Sequence, residues 1–211
     1  RRVLFRSVGA EDKRAYLLDA VDGSIIRYYQ GHSQAVTGAT FAAAGAVIMT
    51  SSTDSTVSLW NIDDNVEPIG TVTLNNQQAL GSAVSRDGSK VAVLTTDGTR
   101  RLRMFDDVGL ELWNTTLPGT HFTGSFSSIC FNEAGDRVLI CSNAAGNWDQ
   151  PAALAVQYSA VNGDFIGFVG PRGRLKGGDW DRYYERARVS EDGSRIFYMH
   201  TQGLDVIMTE E

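Results

Sequence analysis

The chain has 211 residues, 42% of them hydrophobic, with 22 glycines against 4 prolines, a formal net charge of −6 and a pI near 5.1. This is the composition of a globular domain that can bury a core, and it excludes collagen-like and disordered chains. The acidic balance argues against a dedicated nucleic-acid binder, which is basic overall or along one face, and no apolar run reaches the roughly 18 residues of a membrane-spanning helix.

Residues 1–7, RRVLFRS, are the in-frame translation of AGACGTGTGCTCTTCCGATCT, part of a common sequencing adapter. They are therefore set aside as a fusion scar would be. Without Arg1, Arg2 and Arg6 the net charge becomes −9. On this reading the natural N-terminus is missing, a leader peptide would be unobservable, and the compartment stays open.

Next comes AYLLDAVDGSIIRYYQ, from Ala15, which reads as two strands around Asp22-Gly23. Beyond it one short pattern occurs four times: FAAAGAV from Phe41, VSRDGSKV from Val84, FNEAGDRV from Phe131 and VSEDGSRI from Val189. Each is an apolar residue, a small or polar turn, a glycine and an apolar strand. The pattern predicts a hairpin in which Gly45, Gly88, Gly135 or Gly193 takes the positive φ of a tight turn. Third strands are expected at TVSLWNI, RRLRMFD, ALAVQYS and LDVIMTE, and fourth strands at PIGTVTL, LELWNTT and DFIGFVG. Alternation with β-branched and aromatic enrichment supports strands, and no stretch holds a 3.6-residue period with caps.

The hairpin glycines are 43, 47 and 58 residues apart, so each unit is a four-stranded blade with insertions growing toward the C-terminus. One blade is too thin to bury both faces, and radial packing of blades solves that problem. Residues 31–62 resemble a nearly complete WD repeat, with Gly31-His32 at the start, Ser52-x-Asp54 in the middle and Trp60-Asn61 where the family has Trp-Asp. The resemblance implies a buried hydrogen-bonded chain of His32, Thr50, Asp54 and Trp60 with a structural role. A buried Asp must be paired, and imidazole, hydroxyl and indole can complete such a chain. A catalytic reading of His32 and Asp54 finds no second feature of an activated nucleophile.

The motifs degrade in later repeats. The second keeps Asp97 and offers Phe105 for the Trp, the third has Tyr158, and the fourth has Gln202 and Met208 where Asp and Trp would sit. GLELWNTTLPG at Gly109 points toward related, quinoprotein-like propellers. The expected fold is all-β: a β-propeller of four-stranded antiparallel blades, three full and one partial at each end. The blades fall at about 8–31 (partial), 32–73, 78–117, 123–170 and 183–211 (partial). By family analogy the piece belongs to a ring of seven.

In such a fold the loops from strand two to three, and from strand four to the next blade, emerge on one face. Two of them are enlarged, residues 143–151 and 170–185, and they flank the same blade. They carry Trp148, Asp149, Arg172, Arg174, Lys176, Trp180, Arg182, Tyr183 and Tyr184, along with Asp179 and Asp181. Residues 171–188 hold six Lys or Arg against three Asp or Glu, a local excess of +3. Arg, Trp and Tyr dominate interface hot spots, so these nine residues are the expected partner-binding set. The alternative is a self-packed surface loop whose aromatics cover a blade edge.

Other features read as ordinary. His121 and His200 lack metal-ligand spacing, Cys130 and Cys141 are two small hydrophobes on one hairpin, and Asp63-Asp64 and Asp106-Asp107 are solvated turns. Arg100, Arg101 and Arg103 are expected to face solvent. Asn114-Thr115-Thr116 fits a glycosylation acceptor, which matters only in a secreted protein. The functional expectation is a non-enzymatic scaffold that needs no cofactor or metal and binds a protein or peptide, with no nucleic acid and no membrane segment. The alternative is part of a propeller enzyme or quinoprotein-like protein whose active site lies in blades outside this chain.

Overall fold

A computed structural model describes residues 5–42, 45–64, 67–118, 126–142, 155–169, 184–190, 195–200 and 203–208. The chain divides into two compact units, residues 1–114 and 115–211.

The first unit holds three antiparallel sheets. One is β1 (Phe5–Gly9), β2 (Arg14–Asp19) and β3 (Ile25–Gln30). The second is β4 (Val36–Ala42), β5 (Val47–Ser52), β6 (Thr56–Asn61) and β7 (Gly70–Thr73). The third is β8 (Gln78–Val84), β9 (Lys90–Thr96), β10 (Arg100–Asp106) and β11 (Glu111–Thr116), the last of which runs across the boundary between units. In the second unit lie β12 (Phe126–Phe131), β13 (Arg137–Ser142), β14 (Ala155–Ser159) and β15 (Phe165–Val169), and a three-stranded sheet of β16 (Tyr184–Val189), β17 (Arg195–His200) and β18 (Gly203–Met208). The fold class is thus all-β, built of β-propeller blades in which strands pair in chain order.

The repeat extends to single turns. Gly45, Gly88 and Gly135 have φ of 92°, 79° and 69°, the left-handed values their hairpins need. At the turn into the third strand, Asp12, Asp54 and Asp97 each accept the backbone N–H two residues on, at 3.2, 3.0 and 3.1 Å. At the next turn Asp19, Asn61, Asp106 and Ser159 do the same for Val21, Asp63, Val108 and Val161. A side-chain oxygen that mimics a backbone turn explains why short polar residues recur there.

Register places one residue of each third strand at an equivalent site. Trp60 lies opposite Ile48, Phe105 opposite Val91 and Tyr158 opposite Val138, each three residues after the hairpin glycine. All three aromatics are buried. In the last sheet Ile196 faces Ile207, so Ile207 and not Met208 holds the equivalent position. A shift of one residue changes the sheet face, which removes Met208 from the series.

The second sheet is buried on both faces. Ile48 and Trp60 pack with Ala15, Leu17, Tyr29 and Val36 on one side, while Met49, Val57 and Leu59 pack with Val91, Val93 and Phe105 on the other. Phe5 adds to the first cluster and β1 pairs with β2. Alternating sequence adopts such an edge whatever its origin. Backbones approach closely where sheets meet: a Cβ on Gly109, at φ 93°, would lie 2.4 Å from the Thr71 carbonyl oxygen.

Candidate functional site

His32 lies just before β4, Thr50 in β5, Asp54 in the β5–β6 turn and Trp60 in β6. The Trp60 indole N–H donates to Thr50 Oγ1 at 2.9 Å, and Thr50 Oγ1 lies 2.8 Å from His32 Nε2. His32 Nδ1 is 3.1 Å from Asp54 Oδ2 and 3.0 Å from Thr56 Oγ1. One neutral tautomer satisfies the whole chain: Thr50 O–H donates to Nε2, and Nδ1–H donates to Asp54. Asp54 also accepts the Ser33 N–H at 2.8 Å and the Thr56 hydroxyl at 2.6 Å. Burial pushes its pKa up, but bonds from Thr56 and Ser33 and the adjacent His32 outweigh that and hold it below the usual carboxylate range.

Thr50 and Trp60 are 0% exposed and His32 is 7% exposed. A nucleophile must be reached by substrate, and Thr50 Oγ1 is sealed, with its proton and acceptor capacity engaged. The arrangement ties strands of one sheet together, and its Thr50 hydroxyl is not placed to act as a nucleophile.

The second blade has no such chain. Phe105 fills the aromatic position without a polar handle, and the polar lock moves to Arg103. Sequence reasoning expected Arg103 in solvent, yet it is 6% exposed. Its Nε and Nη2 bond Glu111 at 3.2 and 2.6 Å, Nη1 reaches Gln77 Oε1 at 3.1 Å, and the guanidinium stacks 4.9 Å from the Phe105 ring centroid. The bidentate carboxylate is what makes burial of this Arg tolerable. Gln77 passes the network to Asp97 at 2.9 Å. These residues wall a polar cleft of about 200 Å³ that Asn75, Arg101 and Asn114 complete. The signal in sequence was faint: an Arg at alternation with Leu102 and Met104, and a Glu across the next turn.

In the third blade Tyr158 packs edge-on against Phe165 with centroids 5.6 Å apart, and burial pushes its phenol up to about 12. Cys141 is buried and Cys130 is half-buried. Trp148, Asp149, Arg172, Arg174, Lys176, Trp180, Arg182 and Tyr183 lie outside the described residues, as do Gln202, Gly193 and His121. Tyr184 opens β16 opposite His200, and neither side chain is among those described. Among the described residues no group of three or more His, Cys, Asp or Glu could hold a metal ion, and no helix is long and apolar enough to cross a membrane.

Repeated four-stranded β-propeller blades, with a His–Thr–Trp–Asp chain inside one of them, resemble those of WD-repeat proteins. Independently, the family model for the WD domain, G-beta repeat, matches residues 23–61. Curated relatives carry the name WD repeat-containing protein 37. The Mus musculus protein is 29% identical over 145 residues, 68% of this chain and 28% of that protein. The Homo sapiens protein is 28% identical over the same shares, and the Xenopus laevis protein is 31% identical over 57% of this chain and 24% of its own length. The match thus spans about a quarter of the length of these relatives.

Proposed function

We propose that this protein is an interaction scaffold, which holds a protein or peptide on the propeller face that carries the loops at residues 143–151 and 170–185. The observation that supports it best is the sealed polar chain. Among the described residues, the one Thr, His and Asp arrangement with the composition of a catalytic set holds strands together, which leaves the rigid blades as supports for loops. Rigid scaffolds with variable loops are where binding is usually built. Trp148 and Trp180 are the aromatic anchors of this reading, and Asp149, Arg172, Arg174, Lys176, Arg182, Tyr183 and Tyr184 surround them. No cofactor and no catalytic residue are assigned.

Affinity purification with the intact chain and with Trp180→Ala and Arg174→Ala tests the reading. A discrete set of partners should be recovered by the intact chain and depleted at least about tenfold by Trp180→Ala, the effect of losing a hot-spot side chain. Arg174→Ala should act mainly through association rate and salt dependence. Recovery that is the same for all three proteins would overturn it.

A further inference from the structure

The cleft at the end of the third sheet shares no residue with the enlarged loops, and its hydrogen-bond inventory is unbalanced. Asp97 accepts from Gln77 and from the Thr99 N–H, and Glu111 accepts from Arg103 and from Asn114 Nδ2 at 2.9 Å. Arg103 commits four of its five N–H groups to Glu111, Gln77 and the Leu74 carbonyl. Arg101 shares the wall with them. Among the described residues, neither its guanidinium nor the Asn75 carboxamide makes a hydrogen bond. The surplus is therefore of donors, since a guanidinium alone offers five N–H groups.

Asn75 stands beside Asn76 with both residues in the left-handed region, at φ 52° and 65°. Two consecutive residues there hold Asn75 at the cleft rim, away from the regular strand path. A volume of about 200 Å³ is below the roughly 300–1,000 Å³ of pockets that enclose cofactors and drug-sized ligands, and suits a single side chain entering from solvent.

We propose that this cleft is a docking site for one Asp or Glu side chain of a bound peptide or protein, with its carboxylate paired to Arg101 and a neighbouring peptide carbonyl received by Asn75. Planar bidentate pairing makes Arg the fitting partner for a carboxylate. The Arg103–Glu111 pair fixes β10 beneath Arg101, so the guanidinium is presented on a rigid strand. Asp97 and Glu111 oppose a second negative charge, which limits the site to one carboxylate and keeps its affinity modest.

The test is a titration of the isotope-labelled full chain, followed by NMR, with three probes: acetyl-Gly-Glu-Gly-amide, acetyl-Gly-Gln-Gly-amide and acetate. The Glu peptide should shift the Arg101 Nε–H and the Asn75 side-chain amide in a saturable way. It should bind roughly tenfold more tightly than the Gln peptide or acetate, because only it supplies both the charge and the carbonyl. Arg101→Gln should weaken it by about the same factor, and its folded state is checked from its unchanged spectrum elsewhere. Arg101 is half-exposed, so folding is not at risk. Equal binding of Glu and Gln peptides, binding of acetate as strong as the peptide's, or full binding to Arg101→Gln would each overturn the proposal. Loss of the Trp180 effect on partner recovery would leave this site untouched, and failure here would leave the loop reading untouched.

Discussion

At the scale of single residues, His32 and Asp54 form a buried pair whose side chains are 2% and 6% exposed. Removing either leaves a buried group without its partner, which costs about 1–3 kcal/mol. His32→Ala and Asp54→Ala should each destabilise by that amount in chemical denaturation, and the double variant should cost clearly less than the sum of the singles. Strict additivity would mean that the two do not act through one another. The same carboxylate gives a pH dependence. Asp54 is held below its ordinary pKa in the folded chain, so its contribution is fully present above the unfolded value and is lost as pH falls through the folded one. Asp87 behaves alike, lowered to about 2 by bonds from Ser85 and Ser89, although its exposure makes the energetic effect small. Thermal midpoints measured from pH 5 downward should therefore fall through the carboxylate range and below it for the intact chain, and fall less for Asp54→Asn. An acid limb identical in both proteins would contradict that role for Asp54.

At the scale of elements, the hairpins were legible because each is announced locally: a glycine where φ is positive, a short polar turn residue, and a strand that follows. The third strands TVSLWNI and RRLRMFD became β6 and β10, and the fourth strand LELWNTT became β11. The chain of His32, Thr50, Asp54 and Trp60 could be placed because one repeat keeps its motif nearly whole. Arg103 could not, because its burial depends on Glu111, Gln77 and Phe105, which come from three different parts of the second blade, and no local pattern distinguishes it from Arg101. Met208 was misplaced for a related reason: strand ends carry no register mark, and one residue decides the face. Sheet contact was also invisible in sequence. Gly109→Ala adds a Cβ 2.4 Å from the Thr71 carbonyl at a φ of 93°, whereas Gly23→Ala, at φ 74°, meets nothing within 4 Å. Both should lose about 1–3 kcal/mol to backbone strain, and Gly109→Ala should lose visibly more in thermal unfolding. Equal losses would show that the sheets have room between them at that turn.

At the scale of the whole molecule, the account separates what holds the blades from what the blades carry. The sealed chain around Thr50 belongs to the first role, and the enlarged loops with Trp148 and Trp180 are proposed for the second. The relatives that match over 28% of their length share the repeat, and the repeat is what the described residues express. The Thr50 hydroxyl is 0% exposed and so closed to a substrate. The most direct measurement is thus a paired one on Trp60→Phe and Trp180→Ala, with denaturant stability and partner affinity per folded molecule read on the same samples. Trp60→Phe deletes the indole N–H that Thr50 accepts. It should lower stability by about 1–2 kcal/mol and leave affinity unchanged, while Trp180→Ala should leave stability within about 0.5 kcal/mol and cost on the order of 2 kcal/mol of affinity. The account is contradicted if Trp180→Ala destabilises the fold as much as Trp60→Phe does while affinity per folded molecule stays the same.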